Sequence, residues 1–574
     1  MIRNNEIADI FDEIAELLEI QQANPFRIRA YRTAARTLRG LQREVADSLK
    51  KGEKLTDLPG IGDDLAGKIK DVVDTGGTEL LYRLRRELPH GLIALLKLPG
   101  LGPKRAKLLY DKLGISSVAA LQKAARAGKL AEIPGLGAKT QTAILNAAET
   151  VSAAPQRVLR WRVRPVVDSL IGYLRKAPGV SQVSVAGSYR RARETVGDID
   201  IIATAKDGAP VISHFVGHED IKKILAQGPT RATVILRDGL QVDLRVVPEE
   251  SYGAALVYFT GSKAHNIAIR RMGQKRGLKI NEYGVFRGNR RIAGQDEKSV
   301  YRAVGLAEIP PELREDRGEL DLAAARDLPA LVERRDLKGD LHSHTDATDG
   351  RSSLEGMVAA ARRAGMRYLA ITDHSQRLTV AHGLDSRRLL RQGAKIDALN
   401  AKLKDFRILK GIEVDILEDG RLDLPDETLG HLDLVVGAIH SHFNLPAAKQ
   451  TARLLRALDQ EYFTILAHPS GRLLGERESY PFDVERVIEA ARQRGCYLEL
   501  NCQPQRLDLT DIYCKAARQA GVLISIDSDA HDTSELDYLA YGIGEARRGW
   551  LGPKDVLNCR PLPQLMALLK KTMG

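Results

Sequence analysis

Apolar positions fall at helical spacing from the start of the chain. Ile7, Ile10, Phe11, Ile14, Leu17 and Leu18 form one stripe and predict a core-facing helix. The basic stretch N-P-F-R-I-R-A-Y-R-T-A-A-R-T-L-R predicts a second helix, with Arg27, Tyr31 and neighbouring cations on a face able to meet phosphate. Three similar turns follow, L-P-G-I-G from Leu58, L-P-G-L-G from Leu98 and I-P-G-L-G from Ile133, each ahead of a helix-forming stretch. Their spacings, 40 and 35 residues, are too uneven for a solenoid. From Val183 the period becomes two. V-S-V-A-G-S-Y-R-R-A-R-E-T-V-G-D-I-D-I-I predicts a strand, a turn at Gly187-Ser188 and a second strand. R-A-T-V-I-L-R-D-G-L-Q-V-D-L-R-V-V predicts a hairpin turning at Asp238-Gly239. Pro310-Pro311 interrupts the pattern, and residues 307–338, charged and without aromatics, predict a linker with one surface helix.

Beyond Lys338 short apolar strands alternate with helical patterns, each strand ending in polar residues. G-D-L-H-S-H, Y-L-A-I-T-D-H, L-K-G-I-E-V-D, L-V-V-G-A-I-H-S-H, F-T-I-L-A-H-P, C-Y-L-E-L-N and L-I-S-I-D-S-D-A-H make seven such units. Repeated βα units imply a parallel sheet or barrel with its chemistry at the strands' C-terminal ends. Nine of the thirteen histidines lie here, and seven of them (His342, His344, His374, His440, His442, His468 and His531) fall at strand ends. Imidazoles and carboxylates converging at one mouth point to metal.

A second constellation belongs to the alternating stretch. Asp198 and Asp200 are two apart and share a face, with Ile199 and Ile201 turned into the core. Asp243, flanked by Val242 and Leu244, supplies a third carboxylate. Like charges on one face call for a cation between them, and Mg²⁺ suits oxygen ligands and substrate phosphates. Gly187, Ser188, Arg190 and Arg191 offer donors that clamp a polyphosphate. Two metals held by three Asp is the chemistry of nucleotidyl transfer.

At 574 residues the chain is long enough for several domains. Its charge is uneven: residues 1–338 hold 56 Lys and Arg against 42 Asp and Glu, whereas residues 339–574 hold 31 against 33. A basic front suits a polyanionic partner. No run approaches the roughly eighteen apolar residues of a membrane span, and the first residues do not read as a signal peptide. Cys496, Cys502, Cys514 and Cys559 form no C-x-x-C pair and predict reduced thiols.

The Asp constellation with its Gly-Ser turn resembles the nucleotidyltransferase superfamily, and Y-F-T-G-S-K-A-H-N, Tyr258 to Asn266, narrows the resemblance to family X DNA polymerases. It implies that Asp198, Asp200 and Asp243 hold two Mg²⁺ (or Mn²⁺), and that Ser188, Arg191 and Gly197 hold the β- and γ-phosphates. Tyr258 to Gly261 would pass under the sugar, and Asn266 would reach the minor-groove edge of the incoming base. Two positions depart from the animal relatives: Lys263 stands where they carry an acid, and Gln241 where they carry Arg. A cation at 263 would strengthen nucleotide binding before DNA arrives. The three glycine turns resemble helix–hairpin–helix motifs, which would bring Gly60, Gly62, Gly100, Gly102, Gly135 and Gly137, with Lys104 downstream, to DNA backbones. Lys68 stands at the family's Schiff-base lysine, although a phosphate-contacting surface lysine is an equal reading. Arg270 would lie along the template groove.

The histidine-rich motifs resemble the PHP (polymerase and histidinol phosphatase) domain at the C-terminus of bacterial and archaeal family X polymerases. That resemblance assigns nine ligands, His342, His344, Asp349, His374, Glu413, His440, His468, Asp529 and His531, to as many as three Mn²⁺ or Zn²⁺ ions. Asp349 stands where many PHP proteins have His. The expected fold is multidomain α/β, divided as follows: a helical 5′-phosphate and DNA-binding domain (1–85), a helix–hairpin–helix subdomain (86–150), a nucleotidyltransferase mixed-sheet palm (151–249), an α/β thumb (250–306), a linker (307–338) and a distorted (β/α)7 PHP barrel (339–574).

The resemblance implies a repair polymerase that fills short gaps from dNTPs, joined to a metal-dependent 3′→5′ exonuclease with abasic-site cleavage as a further activity. Gapped or nicked DNA with a 5′-phosphate and dNTPs are its expected partners, with other repair proteins besides. The expected setting is cytoplasmic and nucleoid-associated, without membrane contact, as a monomer. A DNA-end-binding scaffold and a phosphatase for small phosphate esters are the competing readings.

Overall fold

The computed structural model describes residues 4–21, 23–41, 44–75, 77–87, 95, 101, 103–127, 129–132 and 157–573. The chain forms two compact units, Met1–Gln156 and Arg157–Gly574. In the first, the predicted stripe is the buried face of the helix Asn4–Ile20, packed on Pro25–Gly40 around Ile7, Phe11, Ile14 and Leu18. Asn24 caps the second helix, its Oδ1 accepting from Phe26 N at 2.8 Å, and Pro25 occupies a position where no amide partner exists. The helix Asp63–Thr75 follows the first glycine turn.

The second unit opens with a five-stranded mixed sheet. Its strands run in the order Gln182–Val185, Asp198–Thr204, Gln241–Val247, Arg231–Leu236 and Ile221–Gln227. The Asp238-Gly239 hairpin forms as the sequence predicts, Gly239 taking the positive φ of 90° that its turn requires. Ile199, Ile201, Val242 and Leu244 are fully buried beneath the helices Arg160–Leu174 and Ala209–Val216. Next come the helices Tyr252–Thr260 and Lys263–Lys275, then a small antiparallel sheet and the helix Glu297–Ala303.

Residues 307–338 differ from the loose linker with a surface helix that their charge predicted. Arg314 is fully buried, donating to Glu297 Oε1 at 2.6 Å and Ile309 O at 2.9 Å. Glu319, also fully buried, opens the helix Glu319–Ala325 and meets His265 Nδ1 at 2.7 Å. Ile309, Leu313 and Ala323 join one core with Tyr301 and Trp550. Arg314, Glu319 and Arg317 find their partners, Glu297, His265 and Asp511, outside the segment, so it is an integral connector.

The remainder is built from parallel strands. Gly339–Asp340, Tyr368–Ile371 and Arg407–Lys410 pair in order, and Glu413–Asp415, Val436–Ala438, Ile465–Leu466, Tyr497–Asn501 and Ile524–Asp527 continue the series. Arg407–Lys410 and Glu413–Asp415 are one run of chain broken at Gly411-Ile412, so the seven sequence units are recovered. The last strand's end returns to the first: Asp529 N donates to His342 O at 3.0 Å, and His344 N to Ala530 O at 2.8 Å. All four cysteines are buried and free, and no helix of the described residues is long and apolar enough to cross a membrane.

Candidate active sites

The parallel pairing of Asp198–Thr204 with Gln241–Val247 sets Asp200 directly opposite Asp243 and Asp198 opposite Gln241. Three carboxylates therefore share one sheet edge. Burial pushes the Asp200 carboxyl up to about 7, helped by Asp198 and Asp243. Asp198 is raised for the same reasons, burial first and Asp243 second. Among the described residues, the triad is not one of the groups whose ligand atoms all lie within 4.8 Å of one another. Asp243 turns to accept from Thr233 Oγ1 and, at 2.7 Å, from Gln241 Nε2.

Gly187 lies against the Asp200 carboxylate. Its φ is +62°, and a Cβ there would collide with the Asp200 carboxylate. Ser188 and Arg190 follow in the short helix Gly187–Arg190. Arg190 is committed elsewhere, donating to both oxygens of Glu297 at 2.9 and 2.7 Å. Arg191 donates from Nη1 to Thr260 O and from Nε to Glu315 Oε1 at 3.1 Å. Gly261 sits beside it, its Cβ position 3.2 Å from Arg191 Nη1. Asn266 donates to Tyr258 O at 2.6 Å, joining the two residues expected near sugar and base. Gly197 precedes Asp198 at the edge of the same group, whereas Lys263 and Arg270 are exposed on the helix Lys263–Lys275.

All nine expected histidine-cluster residues meet at the strands' C-terminal ends. Among the described residues, three groups could hold a cation: His344, Asp349, His374 and His531; His342, His344 and Asp529; and His374, Glu413 and His440. His468 Nε2 joins through Glu413 Oε1 at 3.0 Å. Glu413 is the hub. Burial alone would push its carboxyl up, yet His374, His440 and His342 hold it well below the ordinary range. Burial works against a charged His374, but Glu413 and Asp349 keep it up at about 10. Burial and its neighbours His531 and His374 drive His344 down to about 3. The buried atoms His342 Nε2 and His344 Nδ1 have no hydrogen-bond partner, whereas Glu413 Oε2 lies 2.6 Å from His374 Nδ1. The unpartnered His342 Nε2 faces Glu413 and Asp529, and a buried pocket of mixed nitrogen and oxygen atoms of this kind fits divalent cations. Asp529 and His468 adopt positive φ, 52° and 28°, so backbone strain is concentrated at this mouth.

Two residues here were not singled out from sequence. Glu499 Oε1 lies 2.6 Å from His342 Nδ1, and Asp415 Oδ1 lies 3.0 Å from His440 Nδ1. Carboxylates behind imidazoles fix their tautomer and direction. Asp415 could have been found by period, because it sits two residues from Glu413 on the same strand. His442, counted with the strand-end histidines, is exposed, its Nδ1 3.9 Å from Glu418 Oε2.

In the N-terminal unit Gly60 takes φ +77° and packs against Thr33, while Gly62 faces open space. Tyr31 does not lie on an exposed phosphate-facing surface. Its ring is 1% exposed and packs edge-on against Phe11, because the helix turns this position toward the core. Its hydroxyl remains near Arg27 and Lys68, and burial raises its pKa. Lys68 pairs with Asp64 one turn away. Gly100, Gly102, Gly135 and Gly137 lie outside the described residues, as does the side chain of Lys104.

Comparison with known proteins agrees with this division of labour. Family models match as a helix-hairpin-helix domain (residues 2–78), a SAM-like helix-hairpin-helix tandem (92–150), DNA polymerase beta palm (161–272), DNA polymerase beta thumb (255–315) and PHP domain (340–503). The "DNA polymerase/3'-5' exonuclease PolX" of Bacillus subtilis is 39% identical over 99% of this chain and 100% of its own length. A probable phosphatase of Caldanaerobacter subterraneus is 29% identical over 33% of this chain and 75% of its own. Another from Edwardsiella ictaluri is 29% identical over 39% of this chain and 90% of its own. Matched from end to end by that relative and carrying palm, thumb and PHP segments in one chain, the protein belongs to the family X DNA polymerases with a C-terminal PHP domain.

Proposed function

We propose that this protein fills short DNA gaps by template-directed nucleotidyl transfer from dNTPs and trims 3′ ends with its PHP domain. The observation that carries this is the alignment of Asp200 with Asp243 on adjacent parallel strands, beside the Gly187–Arg191 turn. Asp198, Asp200 and Asp243 would hold two Mg²⁺ or Mn²⁺, which supply charge stabilisation to the attacking and leaving oxygens. Ser188, Arg191 and Gly197 orient the triphosphate. Tyr258 and Gly261 support the sugar, Asn266 meets the base edge and Lys263 adds a cation near the nucleotide. In the PHP domain the nine clustered residues would hold as many as three Mn²⁺ or Zn²⁺ ions and present a phosphodiester to water. Arg27, Lys68 and the helix–hairpin–helix turns would grip gapped or nicked DNA and its 5′-phosphate, with Arg270 along the template. The setting proposed is cytoplasmic and nucleoid-associated.

Primer extension on gapped DNA, with single-strand exonuclease assayed in parallel, tests both halves. Asp198→Ala should abolish extension and spare the exonuclease, and His342→Ala should do the reverse. A wild-type protein that trims but never extends would leave only the scaffold reading. One that hydrolyses small phosphate esters but not DNA would leave the phosphatase reading.

A further inference from the structure

The turn carrying Arg191 is held from outside the palm. Arg548, last residue of the helix Leu539–Arg548 in the PHP half, is 2% exposed at its side chain and serves three acceptors. Its Nη1 donates to Arg191 O at 3.1 Å and to Glu315 Oε1 at 2.9 Å, and its Nη2 to Asp511 Oδ2 at 2.7 Å. Glu315 Oε1 is the same oxygen that accepts from Arg191 Nε. One carboxylate thus joins the guanidinium expected at the triphosphate to a guanidinium of the other catalytic domain.

Neighbouring contacts repeat the pattern. A Cβ at Gly544 would lie 3.0 Å from Ala192 Cβ, so the PHP helix rests directly on the turn, and Arg472 donates to Glu194. Ala192 itself takes a φ of +56°, a conformation that persists where surrounding structure enforces it. Burial would push the Glu315 carboxyl up, yet Arg548 and Arg191 hold it at about 2, so it stays ionised.

We propose that the PHP domain is a structural part of the nucleotide site, with Arg548 as the positioning residue that fixes Arg191 through Glu315. This rests on the reading of Arg191 as a triphosphate ligand. Arg548 touches none of the clustered imidazoles, so its role is separable from the exonuclease. A misplacement of about 1 Å can cost up to ~100-fold in rate or binding, so loss of this support should appear in the nucleotide term.

The test is steady-state gap filling by the full-length chain, with dNTP varied. Arg548→Ala should raise KM for dNTP about tenfold, with kcat and single-strand exonuclease activity within about twofold of wild type. Arg548→Lys keeps the buried charge but serves only part of the three acceptors, and should raise KM by about threefold. It decides the matter if the alanine variant does not fold. KM within twofold of wild type in the folded variants overturns the proposal, as does a fall in kcat and exonuclease together with KM unchanged. A wild-type protein unable to extend a primer would instead overturn the polymerase reading itself.

Discussion

Glu499 accepts the Nδ1 side of His342 at 2.6 Å, which leaves His342 Nε2 facing Glu413 and Asp529 at 3.6 and 3.5 Å. The carboxylate thereby sets both the tautomer and the direction of a ring that has no other freedom at zero exposure. Glu499→Gln keeps the shape but removes the charge, and its amide can present a donor to Nδ1. Exonuclease activity should fall about 10–100-fold and bound metal should decrease, while gap filling stays unchanged. Metal content measured on the purified variant, together with both activities, checks this.

The corresponding pressure point of the palm is backbone. Gly187 has φ +62°, and its missing Cβ makes room for Asp200. Gly187→Ala should therefore displace the carboxylate and reduce nucleotide incorporation by about 100-fold, leaving the exonuclease intact. Retained incorporation by the folded variant would mean that Asp200 has more freedom than its surroundings indicate.

Asp200 also gives a pH dependence. Its folded pKa is raised to about 7 from the model-peptide value of 3.8, through burial first and then Asp198 and Asp243. The folded protein thus binds the proton more tightly than the unfolded chain, so this contribution to stability is full below pH ~4 and lost as pH rises through about 7. In chelator, Asp200→Asn should melt at a higher temperature than wild type, and by a wider margin at pH 8 than at pH 5.5. Added Mg²⁺ should narrow that margin at pH 8, because the cation replaces the proton between the carboxylates. Thermal melts of the two proteins at both pH values measure it.

Why some of this was legible in sequence and some was not follows from the range of the interactions. Asp198, Asp200 and Asp243 could be read because a strand's period of two fixes which side chains share an edge. The clustered histidines could be read because parallel βα units gather their strand ends at one mouth. Tyr31 could not be assigned to core or surface from a basic helix alone, since its ring's partner, Phe11, comes from another helix. Residues 307–338 misled because local composition shows charges and not their partners. Arg314 finds Glu297, Glu319 finds His265, and Arg317 finds Asp511, 194 residues away. Glu499 was hidden for the same reason, as an isolated acid in an apolar strand.

Asp349 places an oxygen where the histidine cluster would otherwise offer another nitrogen. Its Oδ2 lies 3.4 Å from His374 Nε2 and 3.5 Å from His531 Nε2. Although burial opposes ionisation, those two rings hold its carboxyl far below the ordinary range, so it is a charged oxygen donor at any working pH. Oxygen ligands favour Mn²⁺ relative to the softer preferences served by nitrogen. Asp349→His should thus lower the ratio of Mn²⁺-supported to Zn²⁺-supported exonuclease activity by about tenfold, in keeping with the size of effect that ligand-shell changes produce. Titrating each metal into chelator-stripped wild type and variant, with gap filling as the internal control, reads the ratio directly. An unchanged ratio would show that the pocket's selectivity is set by the eight other residues.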